Sequence, residues 1–377
     1  MTAPNQLHTI SLYQRGTQSE KKIQVMSTET NYAAIVEAPY ARLTTVTRPI
    51  PVPGDKELVV RNHAIAVNPA DWKMQDFDFL IKSYPVVLGS DVCGIVAATG
   101  SSVTKFKIGD RATSASVTGF AGVIYIQDND HGAFQTFTTL KSIATTRIPD
   151  SMNFEDGAVF PMALATSGMA LFVDLGIPLP TSPIIVPNSG LLIWGAGSSV
   201  GTTAIQIAKK LGFKVFATAS PSHHQYLKSL GAFEVFDYRD PAVVDNIVAS
   251  ATAAGTPISL GFDTITEEDT AQKSSNVVLY SSTNGSGKLV LVNEWPKSIA
   301  KPDGLQISQT MAFRHGSDKA DIGEWLFNDF LREALEDGTI VPAPRVELVP
   351  GGIDVAQTLF DRLKAGVSGK KLVIKVE

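Results

Sequence analysis

Cysteine is almost absent: Cys93 is the only one in 377 residues. A lone thiol excludes an internal disulfide and any multi-cysteine metal site, and it points to a reducing, cytoplasmic setting. Long hydrophobic runs are missing as well. No uninterrupted apolar stretch reaches the roughly 18 residues of a membrane span, so no membrane association is expected. Positive charge is in short supply, because 32 Lys and Arg stand against 37 Asp and Glu and leave a net charge of −5. That sign argues against a nucleic-acid partner. Residues 1–30 lack the apolar core of a signal peptide and read as a disordered extension ahead of the first strand-like run, Ala33-Ala-Ile-Val-Glu37. What remains, 44% hydrophobic and 18% charged, is ordinary globular composition on a chain too long for one core. Two domains are therefore expected.

The most informative segment is Leu191-Leu-Ile-Trp-Gly-Ala-Gly-Ser-Ser-Val-Gly-Thr-Thr-Ala-Ile-Gln-Ile-Ala-Lys-Lys-Leu211. A short apolar strand leads into a turn with Gly195, Gly197 and Gly201, and an amphipathic helix follows. The first glycine permits the tight turn, the second lets the backbone approach a pyrophosphate, and the helix N-terminus at Ser198, Ser199 and Val200 favours its negative charge. The last glycine sits one residue later than in the usual G-x-G-x-x-G. A second strand, Lys214 to Thr218, follows at the distance expected of a βαβ unit and restores the dinucleotide reading.

The end of that second strand bears on cofactor choice. NAD sites place an acid there, about 20 residues after the glycines, to hold the ribose 2′-hydroxyl. Here the residues are Ala219-Ser-Pro-Ser-His-His224, with no acid before Glu234. Ser220, Ser222 and His223, with Tyr238 at the end of a third strand Glu234–Tyr238, suit a 2′-phosphate and therefore NADPH. Against this, His223 and His224 also read as solvated residues of a helix's first turn.

The surrounding pattern changes twice. Residues 33–150 read as short strands broken by Pro and Gly, among them Leu58–Val67, Gly94–Ala98 and Gly132–Phe137, with turns such as Gly109-Asp110. From Phe154 helices alternate with strands: a helix Phe154–Leu175, a Pro-rich connection Gly176–Ser189, then strands at Leu191, Val215, Val235, Leu260 and Leu289. This is the pattern of a doubly wound parallel sheet. A helix Asp321–Asp337 leads back to strands ending in Lys370-Lys-Leu-Val-Ile-Lys-Val376, so the C-terminus is expected to complete the first domain.

Val67-Asn-Pro-Ala-Asp-Trp-Lys73, Gly89-Ser-Asp-Val-Cys-Gly94, Val103–Arg111 and Val235-Phe-Asp-Tyr-Arg239, in this order around the glycine turn, resemble the medium-chain dehydrogenase/reductase superfamily. The resemblance covers about residues 33–377 and is strongest to fungal proteins labelled zinc-binding alcohol dehydrogenase-like, to quinone oxidoreductases and to trans-acting enoyl reductases of polyketide pathways. It implies an α/β architecture: a GroES-like β-rich catalytic domain (31–155 and 321–377) and a doubly wound Rossmann cofactor domain (156–320). The zinc label does not carry over. Zinc alcohol dehydrogenases have a cysteine near position 68 and Gly-His-Glu where this chain has Gly89-Ser90-Asp91, and tetrahedral zinc needs three or four such ligands. His63, His131 and His315 are the remaining scattered candidates. The expectation is no metal.

Without a Lewis acid, reduction of a conjugated C=C bond is favoured, because its carbonyl is already an electron sink needing only hydrogen-bond donors. Lys73 stands where the quinone oxidoreductases have tyrosine and, as in the trans-acting enoyl reductases, implies a donor or proton relay; the alternative is a surface lysine snorkelling from a loop. Asn68 would orient the substrate side of the nicotinamide, while Asp71 either pairs with Lys73 or caps the helix starting there. Thr166 would bond the carboxamide or the substrate carbonyl, or else its own helical turn. Phe160, Met162, Leu164 and Met169 line an acyl pocket or form core. Lys370 and Lys371 resemble the basic end of the family's chain near the adenosine phosphate, or else are solvated surface charges, Asp263 and Asn293 fall at strand ends facing the cofactor, and Gln306–Phe313 includes a candidate edge strand. The substrate implied is an enone, an acyl thioester, here with a polyketide synthase as partner, or a quinone. The protein would be a monomer or a homodimer. A non-catalytic nucleotide-binding role is the rival from another class.

Overall fold

The computed structural model describes residues 29–108, 116–122, 126–180 and 189–376. The Gly109-Asp110 turn, most of the N-terminal extension and residues 181–188 of the Pro-rich connection lie outside them.

Six parallel strands run in the order Ala232–Phe236, Lys214–Thr218, Gly190–Trp194, Ile258–Asp263, Gly287–Leu291 and Leu305–Gln309. Counted along the chain this is the doubly wound order, which reverses beside the first strand and opens a crevice at the carboxyl ends there. Gly190–Trp194 is buried along its whole length, as a central parallel strand covered on both faces must be. The helix Ser199–Lys210 follows it, with Ala204, Ile205, Ile207 and Ala208 buried and Lys209 and Lys210 in its last turn, where cations suit the helix dipole.

A second, largely antiparallel sheet joins Arg345–Val349, Lys370–Lys375, Glu57–Ala66, Asp91–Thr99, Ser116–Phe120 and Thr145–Arg147, with Phe137–Lys141 also on Glu57–Ala66. Its C-terminal strand pairs Val373 with Ala66 and Lys375 with Ala64, some 300 residues apart in sequence. A three-stranded sheet holds Thr44–Arg48, Asn31–Val36 and Val86–Val87. One apolar core joins the two large sheets: Ala64, Phe120 and Phe160 pack in the same cluster as Leu164, Ile193, Ile205 and Leu326.

Three expected elements shift. The run 154–175 is broken into Phe154–Gly157, Pro161–Gly168 and a wider turn Met169–Asp174, because Pro161 has no N–H and begins a helix rather than continuing one. By length and composition this run could cross a bilayer, yet 83% of its apolar window is buried inside the protein. The strand expected at Gly132–Phe137 starts at Phe137, since Gln135 spends its side-chain amide on the carbonyls of Asn129 and Gly132 in a local loop. The third parallel strand is Ala232–Phe236, so Tyr238 lies beyond it.

Candidate active site

The glycine turn divides its tasks as the backbone requires. Gly195 has φ +74°, a conformation that excludes most side chains. A β-carbon at Gly201 would meet Ala196 Cα at 2.6 Å and the Gly195 carbonyl oxygen at 2.7 Å, so this glycine seats the helix on the turn. At Gly197 the nearest atom would be His223 Cδ2 at 3.8 Å, which leaves that face open to a ligand. Ser198 is the N-cap and its Oγ accepts from Gly201 N–H at 2.9 Å. Ser199 and Val200 thus present the first N–H groups of the helix, which have no partner within it. The turn is fixed from below by Thr218, whose hydroxyl accepts from Gly195 N–H at 3.0 Å, and by Thr264, whose Oγ1 lies 2.8 and 2.9 Å from the Trp194 and Gly195 carbonyls. Open backbone, unpaired N–H groups and a helix dipole fit a dinucleotide pyrophosphate. Sequence reasoning missed Thr218 and Thr264: Thr218 reads simply as the last residue of a strand, and Thr264 falls in no motif.

On the adenosine side, Ser220 directly precedes the turn Pro221–His223, and Ser222 is exposed. His223 places Nε2 2.9 Å from Ser368 Oγ, while His224 Nε2 donates to Ala219 O, 3.0 Å away, and so belongs to the local fold. Tyr238 is 40% exposed, with the Arg239 guanidinium over its ring at 5.5 Å. Lys370 takes the place of a solvated surface charge: its ammonium bonds Glu347 at 2.7 Å, because strand alternation turns it outward and Lys371 inward. It is Ser368, unmarked in the sequence, that reaches the candidate phosphate side.

Two strand-end residues shape a loop. Asp263, buried and with its carboxyl pushed up by burial, accepts from the N–H groups of Ile265 and Thr266, both at 2.9 Å. Asn293 donates to Ile265 O at 3.2 Å. Thr266 has φ +51°, unusual for a β-branched residue and held there by these bonds. The loop carries Glu267 to the helix Pro69–Phe77, where its Oε1 lies 3.8 Å from Lys73 Nζ.

Lys73 sits on the helix Pro69–Phe77. Its side chain is 25% exposed and its Nζ lies 5.6 Å from the centre of the Trp72 ring. Asp71 does not pair with it: Asp71 Oδ2 accepts from Asn68 N–H at 2.8 Å and caps the helix. Burial, with neighbouring Asp91, pushes that carboxyl up to about 7. Asn68 is corrected most. Its Nδ2 donates to Asp91 Oδ2 at 2.9 Å and its Oδ1 accepts from Lys371 Nζ at 2.6 Å, so both ends of the amide are engaged inside the protein. Acceptor-only carboxylate and donor-only ammonium dictate that orientation. Thr166, also buried, donates to Met162 O at 2.7 Å, a return to its own turn that leaves only its lone pairs for a ligand.

Phe160, Met162 and Leu164 belong to the main core, and Met169 is fully buried. His63 stacks on Phe154, His131 meets Glu57 at 3.0 Å, and His315 packs edge-on to Phe120. Among the described residues no group of three or more His, Cys, Asp or Glu is placed to hold a metal ion.

Comparison with known proteins agrees with this architecture. The model of the alcohol dehydrogenase GroES-like domain matches residues 54–150, and that of the zinc-binding dehydrogenase family matches residues 199–300. The dehydrogenase pigH of Monascus ruber is 38% identical over 372 residues, covering 92% of this chain and all of that protein. The trans-enoyl reductase tndF of Aspergillus flavipes is 34% identical over 344 residues, 91% of this chain and 98% of that one. Among solved structures, the CurK enoyl reductase superposes with a TM-score of 0.71 at 20% identity, over 93% of this chain and all of that one, a likeness of fold.

Proposed function

The chain belongs to the medium-chain dehydrogenase/reductase superfamily, oxidoreductases that bind a nicotinamide cofactor, and on that premise we propose that it is an NADPH-dependent reductase of activated C=C bonds, acting without metal on an enone or acyl thioester. The observation that carries this reading is Lys73: a part-buried ammonium facing Glu267, on a loop at the carboxyl edge of the nucleotide-binding sheet. Residues 31–155 with 321–377 are read as the catalytic part and 156–320 as the cofactor part. The name of the Aspergillus flavipes relative, a trans-enoyl reductase, supports an enoyl group as the acceptor, and an acyl thioester from a polyketide synthase is the form of it that the sequence resemblance implies.

Bound NADPH supplies the hydride that reduces the β-carbon. The residues do the rest. Gly197 admits the pyrophosphate, and the N–H groups of Ser199 and Val200 donate to it. Ser220, Ser222 and His223 offer hydroxyls and an imidazole, with no carboxylate to repel a 2′-phosphate. Lys73 donates to the substrate carbonyl as it gains enolate charge, and Lys73 or water returns the proton to the α-carbon. Thr166 accepts from the carboxamide through its free lone pairs. Zinc is not invoked, since Asn68 and Ser90 stand where the ligands would be and neither is a usual zinc donor.

The test is turnover of 4-deuterated NADPH with crotonyl-N-acetylcysteamine, 2-cyclohexenone and naphthoquinone, after dialysis against a chelator. Deuterium at the β-carbon of the thioester or enone is expected from one face of the nicotinamide only. Turnover confined to the quinone would replace this reading with quinone reduction, and activity lost to chelation but restored by zinc would overturn it.

A further inference from the structure

Among the described residues, the most deeply buried ion pair lies between the two candidate catalytic segments. Asp91 is fully buried and Lys371 is 3% exposed, with Asp91 Oδ2 and Lys371 Nζ 2.8 Å apart. The other carboxylate oxygen, Oδ1, accepts from Met162 N–H at 2.6 Å. That N–H opens the helix Pro161–Gly168, where it has no partner inside the helix and where the dipole favours a negative charge. Oδ2 also accepts from Asn68 Nδ2, and Lys371 closes the ring through Asn68 Oδ1. Each charge therefore has a fixed partner, and each bond ends on a different part of the chain.

Asn68 is the N-cap of the helix that bears Lys73, and Met162 lies one turn before Thr166. Resting on the functional reading above, we infer that Asp91 is a positioning residue for hydride transfer: its two oxygens tie the Lys73 helix, the Thr166 helix and the C-terminal strand to one point. A buried ion pair is a poor device for stability, since apolar side chains of similar size often do as well or better. It is a good device for geometry. Charged hydrogen bonds are short and directional, and at this depth no water substitutes for a partner that moves. A shift of about 1 Å between donor and acceptor groups costs on the order of a hundredfold in rate, which is the sensitivity such a clamp protects against.

The experiment compares wild type with Asp91→Asn and with the double variant Asp91→Asn/Lys371→Met, which removes both charges and so leaves no unpaired buried ammonium. Amide hydrogen exchange is followed at residues 69–77 and 161–168 in the absence of cofactor. The kinetic readouts are kcat, KM and the primary deuterium isotope effect, with 4-deuterated NADPH and crotonyl-N-acetylcysteamine. The double variant is expected to melt near wild type, yet to exchange about tenfold faster in both helices. Its kcat should fall by about tenfold or more with KM little changed, and its isotope effect should rise as the chemical step becomes limiting. A partly unfolded sample loses active molecules but keeps the wild-type isotope effect. A double variant with wild-type kcat, or with faster exchange in only one helix, would overturn the proposal. If wild type turns over none of the acceptors, the functional reading fails, and the exchange result alone decides whether Asp91 anchors both helices.

Discussion

The glycine turn and the candidate catalytic face are built on opposite plans. The turn is made of backbone: three glycines within seven consecutive residues, a cap from Ser198 and the free N–H groups of one helix. The candidate catalytic face is held together by side chains brought from Asn68, Lys73, Asp91, Thr166, Glu267 and Lys371, and its central bond, Asn68 to Lys371, spans 303 positions. A backbone site tolerates changes in side-chain charge but fails on a single methyl group in the wrong place. A side-chain site tolerates added bulk nearby but depends on each charge.

The sharpest break in this comparison is expected at Lys73. Lys73→Ala should lower kcat on the best C=C substrate by about 10² or more, the roughly 2.7–4 kcal/mol of a transition-state donor, while NADPH binding stays near wild type. Wild-type turnover in that variant would make Lys73 a surface residue and leave the catalytic face without its donor.

Next in size is the glycine pair, which separates binding from folding. Gly197→Ala adds a methyl group into open space, so the unliganded protein should melt as wild type while its Kd for NADPH rises about tenfold, or about 1.4 kcal/mol. Gly201→Ala drives the same methyl group into the Ala196 backbone and should lower the melting temperature as well. Equal melting temperatures for the two variants would refute this division of labour.

Asp71 gives a smaller, pH-dependent signal. Its carboxyl titrates near 7 in the fold, pushed up chiefly by burial, against roughly 3.9 in an unfolded chain. Between those values the folded state holds a proton that the unfolded state has released, so stability falls as pH rises from about 4 to about 7 and stays reduced above that. Asp71→Asn keeps an acceptor for the Asn68 N–H and cannot ionise. Its melting temperature should therefore change less across this range, and parallel curves for variant and wild type would exclude the assignment.

The smallest effect is expected at Lys370, an exposed partner of Glu347. Lys370→Ala should change stability by no more than about 1 kcal/mol. It should leave the Kd for NADPH unaltered; a tenfold rise would return Lys370 to the cofactor site.

Sequence by itself determined the parallel sheet, the glycine turn and the cofactor class, because each rests on residues a few positions apart whose spacing alone dictates the local backbone. Lys214–Thr218 has the bounds read from its pattern, and Gly195 makes the tight turn that its place after the strand assigns. The capping alternative for Asp71 and the back-bonding alternative for Thr166 were legible for the same reason, being bonds within one helical turn. Only the tertiary structure decided that Asn68 spends its amide on Asp91 and Lys371, that Lys370 turns away while Ser368 meets His223, and that Glu267 faces Lys73. Those partners are chosen by the closure of one sheet on the chain's own C-terminal strand and by a loop crossing from the other. No periodicity within a window of sequence records which distant charge will stand opposite when the sheets pack.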